Sequence, residues 1–153
     1  MVSTGVWKVI AAGALVLGLG TSAMAADMGP IESRQACMKA NGKVMGVMVP
    51  MIKGEQAYDN DAIQAALAAE GAACAGWADW WGEDTKAGGS VETFAKNEIW
   101  SDMAGFEAAG GEFVKAREAV KASTDEASFK AAFPALGKAC QNCHEKFRRP
   151  KDN

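Results

Sequence analysis

The sequence predicts an all-α protein, an antiparallel up-down-up-down four-helix bundle, and three observations carry that expectation. Apolar residues recur at alternating spacings of 3 and 4 over four long stretches, and no stretch shows the period of 2 that a half-buried strand requires. Beyond the first 25 residues, only Gly82 to Ser90 reads as a long break. The 153 residues are 49% hydrophobic and 23% charged, enough for one packed core and too short for a second. With 16 basic against 19 acidic side chains the net charge is −3, so the basic field that nucleic acid demands is missing and no nucleic-acid partner is expected.

Residues 6 to 20 are apolar apart from Lys8 and lead into Ala23-Met24-Ala25, a small-x-small cleavage pattern. This reads as a signal peptide, residues 1–25. An uncleaved anchor is the rival, but its uninterrupted apolar run is about a dozen residues where a spanning helix needs about 20, so no membrane insertion of the mature chain is expected. The mature domain, 26–153, loses Lys8 and carries 15 basic against 19 acidic side chains, a net charge of −4. It works outside the cytoplasm, where cysteines become oxidised or covalently occupied.

The first helix is expected over about 30–49. Pro30 suits its first turn, and Ile31, Arg34, Met38, Met45 and Val49 form one stripe that Pro50 and Lys53-Gly54-Glu55 terminate. Asp59 or Asn60 can cap the second, whose stripe is Ile63, Leu67, Cys74, Trp77 and Trp81. A third, about 93–121, carries Ile99, Met103, Phe106, Gly110, Phe113, Arg117 and Val120; Gly110-Gly111 at its middle is read either as room for a close backbone or flat ligand or as a tolerated kink. The fourth follows the capping groups of Ser123-Thr124-Asp125-Glu126, with Phe129, Phe133, Leu136, Cys140, Cys143 and Phe147 on one face and a bend at Pro134.

That last helix contains Cys140-Gln141-Asn142-Cys143-His144, the attachment pattern for c-type haem. Cysteines at i and i+3 project both sulfurs from one helix face toward the two vinyl groups of a porphyrin edge, and histidine at i+4 aims its imidazole at the iron. One haem c, attached through Cys140 and Cys143 with His144 on the metal, is therefore the expected cofactor. Two rivals use the same residues. A thioredoxin-like dithiol needs a βαβ setting, and a zinc site needs Cys37 or Cys74 beside Cys140, Cys143 and His144. His144 is the one histidine of the chain, so the sixth iron position falls to methionine, lysine or nothing; Met38, Met45, Met48 and Met51 cluster along the first helix and just past its expected end. No carboxylate pair, Ser/His/Asp arrangement or phosphate loop stands out, and no enzymatic role is expected.

Arg34-Gln35-Ala36-Cys37-Met38, Lys53 to Asp59, Glu98 to Asp102 and Lys138 to Arg148 together resemble the class II c-type cytochromes, the cytochrome c′ family, in order and spacing along nearly the whole mature chain. In the family's high-spin branch an apolar residue covers the distal iron face, which stays five-coordinate and open to nitric oxide or carbon monoxide. In its low-spin cytochrome c-556 branch a methionine ligates iron there. Met38-Lys39-Ala40-Asn41-Gly42 resembles the low-spin version, which implies Met38 as axial metal ligand. The resemblance implies a periplasmic electron carrier that meets redox partner proteins of that compartment and forms a homodimer in many members; five-coordinate gas binding is its alternative. Arg34, one turn before Met38, is read as a partner of a haem propionate or as a solvated surface residue. Arg148 matches a basic residue that in the family lies beside the proximal haem face, there to tune potential or to snorkel at the helix end.

Cys37 and Cys74 fall outside the attachment motif. In an antiparallel hairpin they lie about 18 and 22 Å from the turn at 1.5 Å per residue, so a disulfide is geometrically open to them, with two buried thiols as the alternative.

Overall fold

The computed structural model describes residues 29–86 and 91–150, so the expected signal peptide lies outside the described residues. The elements run α1 (Pro30–Lys53), α2 (Asn60–Ala73), two 3-10 turns (Trp77–Trp80, Glu83–Thr85), α3 (Glu98–Ser101), α4 (Met103–Lys121) and α5 (Glu126–Phe147). Among the described residues there is no strand, only an isolated bridge between Ala95 and Arg148. α1 packs chiefly on α2, and α4 chiefly on α5, so two antiparallel hairpins form the four-helix bundle.

Local chemistry sets the helix starts. Asp59 Oδ1 accepts the Ala62 N–H at 2.9 Å, and Asp125 Oδ1 accepts the Ser128 N–H at 2.7 Å while the Ser128 hydroxyl lies 3.3 Å from the Asp125 N–H. The interior is then filled by Val44, Met48 and Met51 of α1, Ile63 and Leu67 of α2, Ala116 and Val120 of α4, and Phe129, Leu136 and Ala139 of α5. Each of the large side chains contributes about 1.5–3 kcal/mol by leaving water.

Four expectations are corrected. α1 continues through Pro50 to Lys53, because burial of Met51 draws the next turn inward; Gly54, at φ 72°, then closes it in the left-handed conformation that glycine adopts without steric cost. Its deepest face is Cys37, Val44, Met48 and Met51, about one residue around from the predicted stripe. Of the predicted positions, Ile31, Arg34 and Met38 border the cavity described below. α2 stops at Ala73, short of the tryptophans: Gly76 starts a tighter turn, and a Cβ there would lie 2.8 Å from Trp80 Nε1, so the close approach needs glycine. The expected third helix is divided. Residues 93–97 are held to the end of α5, with the Lys96 N–H on Phe147 O (3.0 Å) and the Arg149 N–H on Phe94 O (2.7 Å), and Asp102 caps a new helix through the Gly105 N–H (3.0 Å). Through Pro134, by contrast, α5 is one continuous helix.

Asp102 also pairs with Lys146 (Oδ2 to Nζ 2.5 Å), and this partner, helped by the Gly105 N–H, holds its carboxyl below the usual carboxylate range. A lowered folded value means that the stabilisation is present above the ordinary carboxylate value and is lost as pH falls through the folded one. Asp102→Asn keeps the cap and removes the charge. Its melting temperature is expected to lie below wild type at neutral pH and to merge with it in acid, once pH has fallen below the lowered value of the folded carboxyl; a pH-independent gap in thermal melts would contradict this.

Candidate functional site

Between the two hairpins lies a solvent-open cavity of about 1400 Å³, larger than the roughly 300–1,000 Å³ of ordinary small-molecule clefts. Met38 of α1, Trp77 and Trp81 of the loop, Phe106 and Phe113 of α4, and Cys140, Cys143 and His144 of α5 all line it. Among the described residues no other backbone approaches Gly110 closely: a Cβ added there or at Gly111 meets nothing within 4 Å, and Gly110 faces the cavity.

The α5 pattern brings its residues together as the spacing predicts. Cys140 and Cys143 are half-buried free thiols on the wall, and His144 follows at the exposed rim. Burial pushes both thiols up, which is the reverse of what activates a redox dithiol. Partial desolvation of the ring at that rim and then the neighbouring Arg148 push the imidazole down, toward the neutral form that ligates metals. The dithiol-oxidoreductase reading also lacks its sheet, since no strand is present among the described residues. The zinc reading loses its ligands: Cys37 and Cys74 are joined as a disulfide, and among the described residues no three of His, Cys, Asp and Glu gather as a metal ion needs.

Arg34 is not a solvated surface residue. It is 5% exposed, its Nε and Nη2 donate to Trp80 O at 2.9 and 2.6 Å, Nη2 also reaches Thr85 O at 3.2 Å, and its guanidinium lies 4.3 Å over the Trp81 ring. Its Nη1 has no hydrogen-bond partner among the described residues. Arg148 leaves the helix in extended conformation beside His144, its guanidinium 5.6 Å from the Phe94 ring. Met38 stands 39% exposed at the cavity wall.

Sequence reasoning missed an ion pair at the cavity floor. Glu70 on α2, 3% exposed, accepts Arg117 Nε of α4 at 2.6 Å, while Arg117 Nη2 donates to Leu67 O at 2.7 Å and Nη1 to Glu118. Its signal was available, because Glu70 occupies the stripe position between Leu67 and Cys74 at spacings of 3 and 4.

The model of the family described as cytochrome c′ matches residues 29–148, nearly all of the described chain. The chain belongs to the cytochrome c′ family. A cytochrome c-556 from Rhodopseudomonas palustris is 35% identical over 92% of this chain and 95% of its own length. A cytochrome c′ from Allochromatium vinosum is 38% identical over 90% and 94%. Among solved structures, a ferrous variant of cytochrome c′ from Alcaligenes xylosoxidans with nitric oxide bound superposes with a TM-score of 0.69 at 27% identity, over 80% of this chain and 94% of that one.

Proteins of the cytochrome c′ family bind covalently attached haem c, and the residues here fit that group. The paired thiols, the imidazole and the large cavity walled by aromatic and aliphatic side chains match its chemistry, and two buried donors on cavity-lining residues, Arg34 Nη1 and Trp81 Nε1, have no acceptor among the described residues.

Proposed function

We propose that this cytochrome c′ family member is a single-electron carrier of the periplasm, exported by residues 1–25 and exchanging electrons with redox proteins there, and that it is not an enzyme. Cys140 and Cys143 would hold the haem through thioethers, and His144 and Met38 would be the protein ligands of its iron. The haem supplies one-electron chemistry at its iron. The chain does the rest: the α5 turn fixes the imidazole, aromatic side chains exclude water, and Arg148 sets the charge beside His144. Arg34 offers Nη1 to a propionate carboxylate.

One observation carries the reading. Met38 borders the cavity yet belongs to neither buried apolar cluster, so its thioether is free of the packing role that methionines usually fill. A thioether opposite imidazole favours ferrous iron and keeps both oxidation states six-coordinate, which suits electron transfer and closes the site to ligands. The relative with nitric oxide bound supports the second reading, an open five-coordinate site. Absorption spectra of the ferrous protein with and without carbon monoxide separate the two. Low-spin bands that carbon monoxide leaves in place are expected, and a carbon monoxide-shifted Soret band would favour the open site.

A further inference from the structure

We infer that the Cys37–Cys74 disulfide is the positioning device for Met38, and that its reduction by a dithiol converts the closed haem site into an open one. The inference rests on the proposed Met38 ligation and deepens it.

The placement of the bridge carries the argument. Cys37 directly precedes Met38 on α1, while Cys74 terminates α2; both residues border the cavity. From Pro30 to Lys43, α1 contributes no side chain to either apolar cluster, its members there beginning at Val44. The turn that bears Met38 is therefore held not by the two apolar clusters but through buried Cys37 and the polar ties of its neighbours. The ties of Arg34, Gln35 and Cys37 run to the end of α2 and the segment after it: Arg34 to the carbonyls of Trp80 and Thr85, Gln35 Nε2 to Glu92 O at 2.7 Å, and the disulfide to Cys74. Of these only the disulfide is covalent, and it grips the residue next to the ligand. Asn41, one turn further along, reinforces the grip, with Nδ2 donating to Cys37 O at 3.1 Å and standing 3.7 Å from each sulfur.

The two sulfurs differ in access. Cys37 is 2% exposed, whereas Cys74 is half-buried at a helix end. A thiolate of a small dithiol attacks Cys74 Sγ, and the Cys37 sulfur leaves as a thiolate beside the Asn41 amide and takes up a proton. The second thiol of the reductant then closes on the mixed disulfide and releases Cys74. Two electrons and two protons pass to the protein, and the dithiol departs as its disulfide. With the tether gone, the Met38 turn is kept by hydrogen bonds alone, and the fraction of iron that has lost its sixth ligand rises.

The test uses the mature holoprotein, held ferrous with ascorbate and treated with dithiothreitol, with thiols counted by alkylation and mass spectrometry and carbon monoxide titrated by the Soret band. Expected are two alkylated thiols at Cys37 and Cys74 and an apparent carbon monoxide affinity raised at least about tenfold, since apparent affinity scales with the competent fraction; reoxidation reverses both. A bridge that stays closed in the folded protein overturns the inference, as does one that opens with no gain in carbon monoxide binding. The Cys37→Ser/Cys74→Ser variant, checked for helix content, must show the same gain without any reductant. If the untreated protein already binds carbon monoxide as tightly as Met38→Ala does, the Met38 reading itself fails, and that failure is visible before the bridge is touched.

Discussion

Met38→Ala is expected to leave the haem attached and the fold intact while turning a ligand-indifferent ferrous protein into one that binds carbon monoxide, with an apparent affinity gain of at least about a hundredfold. The size follows from occupancy: if the thioether holds the sixth position more than about 99% of the time, removing it multiplies the competent fraction by that factor. The reduction potential should fall as well, since methionine opposite histidine favours the ferrous state. Stability makes the result specific. Met38 is 39% exposed and outside the packed clusters, so truncation should cost less than about 1 kcal/mol in urea unfolding. Met48, at 0% exposure in the same helix, is the counterpart: Met48→Ala should cost about 2–5 kcal/mol and leave the spectrum alone. An unchanged spectrum in Met38→Ala would assign the sixth position elsewhere.

What separates those two methionines also marks where the sequence was legible. α5 was readable almost residue by residue, because its apolar face, its caps and its cysteine pair coincide on one helix and nothing competes with the pattern. α1 was not, since it has two working faces. Cys37, Val44, Met48 and Met51 pack inward while Arg34, Met38 and Asn41 border the cavity, and a stripe drawn through both sets comes out one residue rotated. Pro50 and Asp102 misled in opposite directions. The proline looked like a stop, but the buried Met51 beyond it outweighs one missing hydrogen bond. The aspartate lay within a continuous apolar spacing, but its carboxylate caps Gly105 and the preceding segment is claimed by the end of α5. Arg34 was placed correctly on an inward face, yet its partners are carbonyls more than 45 positions away in the loop, which no local spacing encodes.

The Glu70–Arg117 pair is the second place where a single change should have a large effect. Both groups sit between the hairpins, at 4% and 14% side-chain exposure, and Arg117 spends three nitrogens on Glu70, Leu67 O and Glu118. Arg117→Met removes the partner and strands a buried carboxylate; breaking a buried pair in this way costs about 3–5 kcal/mol. The Glu70 side alone should be milder, because Arg117 keeps Glu118. Replacing both, Glu70→Leu with Arg117→Met, removes the stranded charge along with the pair, so the double variant should recover most of what the arginine change loses. Urea unfolding of the four proteins in a double-mutant cycle measures this directly. A double variant as unstable as the sum of the singles would mean that the two charges act independently, and that α2 and α4 are joined at the cavity floor by packing alone.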